Sequence, residues 1–134
     1  MVWDATLHLH SAATVAKFNA KCLDGSPGGF YFRKASSQTA ATKWKFHFQG
    51  GGWCTSAASC ASRAKGLLGS SKSWTPTLSQ LWGAKAGFYG LMSADTNQTG
   101  QVVGNPFGDW NFVWLAYCDV RHAIPAGPEA GSEA

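Results

Sequence analysis

The clearest periodicity in the chain lies at residues 43–49, where Trp44, Phe46 and Phe48 alternate with Lys45 and His47. Alternation with period two marks a half-buried strand, because successive side chains point to opposite faces. Lys43 and Lys45 then read as the solvent side. Upstream, residues 23–29 are turn chemistry throughout, rich in Gly, Pro, Asp and Ser, and the aromatic run 30–33 reads as a short strand. Residues 36–42 form a polar loop. The alternation stops at Gly50-Gly51-Gly52, and residues 55–68 change to Ala, Ser, Arg, Lys and Leu. That change predicts a helix with Thr55 or Ser56 as N-cap and Gly69 as its stop. A poorer helical stretch covers 77–82, and 83–108 is loop-like. Residues 112–117 are unbroken apolar sequence, the pattern of a strand covered on both faces. Strand, helix and buried strand in succession predict a βαβ unit, hence an α/β fold with a mostly parallel sheet.

The ends carry less pattern. Residues 1–20 alternate weakly and read as a poorly defined leader. Residues 120–134, mostly Ala, Gly, Pro, Glu and Ser towards the end, are expected to be disordered. No internal repeat is visible.

Composition narrows the class. A length of 134 residues fits one domain. With 45% hydrophobic and 13% charged residues, the chain is too apolar for intrinsic disorder. No run approaches the ~20 apolar residues of a membrane span, so no membrane partner is expected. Sixteen Gly beside seven Trp and eight Phe argue against a helical bundle. The net charge of +4 is spread along the chain, with no Arg-rich tract, which speaks against nucleic-acid recognition. A mildly basic surface suits an anionic substrate such as an acidic polysaccharide.

Cys22, Cys54, Cys60 and Cys118 permit two disulfides in any of three connectivities. No pair has the C-x2-C spacing of a zinc site, and His8, His10, His47 and His122 are scattered, so neither a metal nor a cofactor is expected. Disulfides imply an oxidising compartment, although residues 1–20 show no apolar core with a cleavage site. Asn97-Gln98-Thr99 is an N-glycosylation acceptor compatible with secretion.

The most informative chemistry is the triglycine between a strand and a helix. Glycine leaves backbone N–H groups unobstructed, so they can meet an anion. A phosphate cradle needs a Lys-Ser/Thr or G-x-G-x-x-G pattern, and neither is present. An oxyanion hole for acyl transfer needs only the amides, and a simple tight turn is the plainer alternative. A nucleophile is not legible: no G-x-S-x-G occurs, and Ser62-Arg63-Ala64-Lys65 fits S-x-x-K without its companion motifs. Asp24, Asp95, Asp109 and Asp119 sit where Asp commonly satisfies backbone donors. If Trp53, Trp74 or Trp82 were exposed sugar platforms, the chain would instead be a non-catalytic carbohydrate-binding module; a degenerate copy is a third reading.

Several pieces together resemble the N-terminal part of the pectin acetylesterase family, whose animal relatives are the Notum-type carboxylesterases. They are Cys22-Leu23-Asp24-Gly25-Ser26-Pro27 with Gly29-Phe30-Tyr31-Phe32, then Phe46-His47-Phe48-Gln49-Gly50-Gly51-Gly52-Trp53-Cys54. Cys60 with Ser62-Arg63, Leu68-Gly69-Ser70-Ser71-Lys72, Asn105-Pro106-Phe107, Trp110-Asn111 and Tyr117-Cys118-Asp119 follow in the family's order. The resemblance spans 21–119, which would be the N-terminal portion of an α/β-hydrolase domain, and so an incomplete α/β-hydrolase-type fold. It implies a secreted ester hydrolase that removes O-acetyl groups from cell-wall pectin, monomeric when complete. Gly51, Gly52 and Trp53 would supply oxyanion-hole amides. Cys54 would pair with Cys60, and Cys22 with Cys118. In the chain-entropy model the long loop is worth about 4.7 kcal/mol and the short one about 2.4 kcal/mol. The family continues after Tyr-Cys-Asp with a Gly and a Ser-rich segment, where this chain reads Val120-Arg121-His122-Ala123. The family's Ser, Asp and His lie downstream of that point, so the chain is expected to hold the oxyanion loop without its triad and to be inactive alone.

Overall fold

A computed structural model describes residues 4–82 and 105–119. The candidate glycosylation site at Asn97 and the tail 120–134 lie outside the described residues. Four strands form one sheet in the order β1-β2-β4-β3: β1 (Thr6–Leu9), β2 (Gly29–Arg33), β3 (Trp44–Phe48) and β4 (Asn111–Leu115). β3 and β4 pair in parallel, as the βαβ reading requires, whereas β1–β2 and β2–β4 are antiparallel. The described sheet is therefore mixed. The helices are α1 (Ala12–Phe18), α2 (Ala57–Arg63) and α3 (Leu78–Trp82).

Two elements stand within the stretch read as a leader. β1 is only four residues long, too short for its alternation to register, and it gains its definition from pairing with β2. α1 has no buried residue, so no apolar stripe announces it. Its ends are local: the Ser11 hydroxyl accepts the Thr14 amide at 3.2 Å, and Asn19 closes the helix at φ 53°. α2 is shorter than the composition change suggests. Ser56 caps it and exchanges a reciprocal pair of bonds with Ser59, and Ala64, not Gly69, ends it.

The two faces of β3 are the reverse of the expectation for Lys45. Trp44, Phe46 and Phe48 are 47, 58 and 64% exposed, while Lys45 and His47 lie half-buried on the other side. There the Lys45 ammonium sits 5.3 Å from the Phe112 ring centre, and His47 packs on Trp114 at 4.2 Å. Burial, and secondarily the nearby Arg33 cation, push the Lys45 pKa down to about 8, with Asp109 opposing. The covered face is decided by what crosses it. Trp74 and Leu78 pack there with Tyr31, Phe112 and Trp114, around Ala5, Cys22, Ala116 and Cys118. The Tyr31 hydroxyl donates to the Thr75 carbonyl at 3.0 Å, and Trp74 donates to the Leu67 carbonyl at 3.1 Å. Phe112, Trp114 and Tyr117 are thus buried. Phe48 does remain exposed.

Both disulfides are formed, Cys22 to Cys118 and Cys54 to Cys60. The first joins the turn before β2 to the end of β4, and the Leu23 amide bonds the Cys118 carbonyl beside it at 2.9 Å. Asp24 locks the same turn to the segment after α2. Its carboxylate accepts the Ser26 amide and hydroxyl, the Ser70 hydroxyl at 2.8 Å and the Lys72 ammonium at 3.0 Å. Desolvation works to raise its pKa, but those hydrogen bonds prevail and hold it well below the usual carboxylate range.

Candidate functional site

Gly50, Gly51, Gly52, Trp53 and Cys54 run from the C-terminal end of β3 towards α2. Gly52 sits at φ 67°, a left-handed conformation that side chains resist. Gly51 is needed for another reason. A Cβ there would lie 2.5 and 2.7 Å from two carbons of the Tyr117 ring, so the ring can pack against the loop only if this residue has no side chain. The Cys54–Cys60 bridge ties the far end of the loop to α2.

Two side chains hold the loop from outside it, and a third braces one of them. Arg63, at the end of α2, donates Nη1 to the Gly51 carbonyl at 2.7 Å. Tyr117, just past β4, donates its hydroxyl to the Gly52 carbonyl, and burial pushes its pKa up. Gln49, the residue after β3, supports Tyr117: its Oε1 accepts the Trp114 indole at 3.2 Å and the Tyr117 amide at 3.1 Å. Among the described residues the amides of 50–54 have no hydrogen-bond acceptor. The described peptides are all trans, so each N–H points opposite to the carbonyl of its own peptide. The Gly52 amide is therefore directed away from Arg63, and the Trp53 amide away from the Tyr117 hydroxyl. Such an arrangement presents backbone donors and withholds acceptors, which suits a small anionic centre.

Trp53 is 76% exposed. With Cys54, Ser59, Ser62, Arg63 and Leu68 it lines an open cavity of about 450 Å³ beside the loop. A second cavity, about 230 Å³, opens at the ends of the parallel strands, where Phe48, Leu115 and Asp119 meet His10 and Lys21. Trp74 is buried in the core and cannot serve as a sugar platform. Among the described residues no group of His, Cys, Asp or Glu could hold a metal ion, and no helix is long and apolar enough to cross a membrane. Asp24 does satisfy a nearby backbone donor, the Ser26 amide at 3.0 Å, whereas Asp109 accepts the hydroxyl of the distant Ser37 at 2.6 Å. No role for Gln49, Arg63 or Tyr117 was readable from residue pattern alone. A lone Gln closing an aromatic strand, and a Tyr hydroxyl at the end of an apolar run, were the available signals.

A mixed sheet ordered β1-β2-β4-β3, with a glycine loop leading from β3 to the next helix, is a partial α/β fold of the hydrolase type. A sequence model of the Pectinacetylesterase family matches residues 4–122, so the chain belongs to the pectin acetylesterase family. It is 39% identical over 101 residues to pectin acetylesterase 5 of Arabidopsis thaliana, covering 75% of this chain and 20% of that protein. It is 38% identical over 113 residues to pectin acetylesterase 11 of the same plant, covering 84% of this chain and 24% of the relative. The crystal structure of the Wnt deacylase Notum from Drosophila superposes with a TM-score of 0.58 at 28% identity, over 86% of this chain and 27% of Notum. The chain thus spans only about a fifth to a quarter of the length of these curated relatives.

Proposed function

We propose that the chain supplies the oxyanion-stabilising part of a carboxylic ester hydrolase acting on O-acetyl groups of pectin. The observation that carries this reading is the loop's polarity: the carbonyls of Gly51 and Gly52 are taken up by Arg63 and Tyr117, while the amides of 50–54 have no acceptor among the described residues. In α/β-hydrolases the amide of this strand–helix loop works with the amide after the nucleophile. Gly51, Gly52 and Trp53 are the donors here, and the last two are the best directed. The nucleophilic serine would come from sequence beyond the matched region, as would the acid and histidine that activate it. Attack on the acetyl carbonyl places negative charge on its oxygen. Donors already in place stabilise that charge without reorganising, each worth about 2.7–4 kcal/mol. Alcohol leaves, and water then releases acetate from the acyl-enzyme.

The family match and the plant relatives support pectin as the acetyl carrier, and a net charge of +4 favours an acidic polymer. The two disulfides support an extracellular or wall location. The test is acetate release from acetylated pectin by the protein expressed from its complete transcript. Acetate release that outpaces cleavage of a long-chain acyl ester supports the reading. No release by a folded protein that carries a complete triad overturns it.

A further inference from the structure

We propose that Arg63 and the Tyr117 hydroxyl are positioning residues that aim the Gly52 and Trp53 amides. The catalytic consequence rests on the reading above; the geometry does not. Three consecutive glycines have wide conformational freedom, so the loop's own sequence cannot fix where its amides point. Orientation must be imposed from outside. Arg63 and Tyr117 reach the loop from separate elements and take adjacent carbonyls, those of Gly51 and Gly52. Because a peptide unit is planar, holding its carbonyl also fixes its N–H.

Both anchors are themselves held. The Tyr117 side chain is buried, its backbone amide is bonded to Gln49, and Cys118 beside it is bridged to Cys22. Arg63 ends a helix that the Cys54–Cys60 bridge joins to the loop. Gly69 packs so closely on that helix end that a Cβ there would lie 2.2 Å from the Arg63 carbonyl oxygen. The loop is thus restrained through two hydrogen bonds whose donors rest on disulfide-linked parts of the fold. The charged Arg63 donor makes the more persistent kind of bond, and the buried Tyr117 donor is shielded from competing water.

The decisive variant is Tyr117→Phe, which keeps the ring against Gly51 and removes one oxygen. If the ring alone matters, Phe equals Tyr. The first readout needs no chemistry: backbone 15N relaxation of the protein at residues 51–53. The expected result is a drop of order parameters from about 0.85, the rigid range, to below about 0.6, with β4 unchanged. Unchanged values in Tyr117→Phe overturn the proposal. Arg63→Gln should give the same loosening; should it fail to fold, the Tyr117 variant still decides. In the complete enzyme the same substitution should lower kcat about tenfold or more and move KM less than about twofold. An unchanged kcat in an active enzyme overturns the catalytic role. Absence of turnover in the unsubstituted enzyme counts against the ester-hydrolase reading instead, and leaves the relaxation result to decide the positioning.

Discussion

At the scale of single residues, charge and hydrogen bonding are used to close loops. Asp24 is the fullest case, since one carboxylate gathers Ser26, Ser70 and Lys72 and so joins the turn before β2 to the segment after α2. Its pKa is depressed in the folded state, so the folded protein binds the proton less readily than the unfolded chain. The sign follows: this contribution is complete above the ordinary value of 3.8 and is lost as pH falls below it. Asp24→Asn should therefore lower stability at pH 7 and flatten the acid limb of the stability curve. Urea unfolding between neutral pH and about pH 3 measures both. An Asn variant with an unaltered acid limb would show that the carboxylate contributes nothing there. Aspartate in this turn was legible from the sequence as a local hydrogen-bond acceptor, because Asp-Gly-Ser-Pro is turn chemistry. Its reach to Ser70 and Lys72 was not, since only the fold brings 24 and 70 together.

At the scale of elements, local signals located what local forces decide. Ser56 was readable as an N-cap, and the structure adds its reciprocal partner Ser59. Ser56→Ala should cost about 1 kcal/mol, seen as a lower urea midpoint with an unchanged slope; no change would mean the cap is redundant with the Cys54–Cys60 bridge. The strand at 44–48 shows where such reading stops. Its period was correct, since Trp44, Phe46 and Phe48 do share one face. Which face would be covered depends on the segment carrying Trp74 and Leu78, and that segment crosses the side of Lys45 and His47. Periodicity fixes the partition of side chains between faces, not the choice of the inner one. β1 and α1 were missed for a related reason: a four-residue strand defined by its partner and a helix with no buried side leave almost no pattern. The glycine loop was legible because its residue types are unusual, whereas its two holders, Arg63 and Tyr117, are ordinary residues far apart in sequence.

At the scale of the molecule, the long disulfide carries more of the fold than the short one. Cys22–Cys118 spans 96 positions and closes β2 and β4 into one unit, while Cys54–Cys60 spans 6 and restrains the loop. Replacing Cys22 and Cys118 together by Ala should cost about 4.7 kcal/mol in the chain-entropy model, against about 2.4 kcal/mol for the other pair. Denaturant midpoints of the two double variants give the comparison, and equal losses would contradict it. The short bridge should instead show its effect in the glycine loop, which joins two rigid parts of the sheet-and-helix frame. That loop carries the proposed chemistry, and within it Gly52 sits at φ 67° with no side chain. The most direct test is the kcat of Gly52→Ala in the complete enzyme on an acetyl ester. Alanine resists that backbone conformation and should turn the Gly52 and Trp53 amides away, lowering kcat by about a hundredfold with KM little changed, as for a lost oxyanion donor. A folded Gly52→Ala enzyme with the kcat of the unsubstituted protein would contradict the role assigned to the loop.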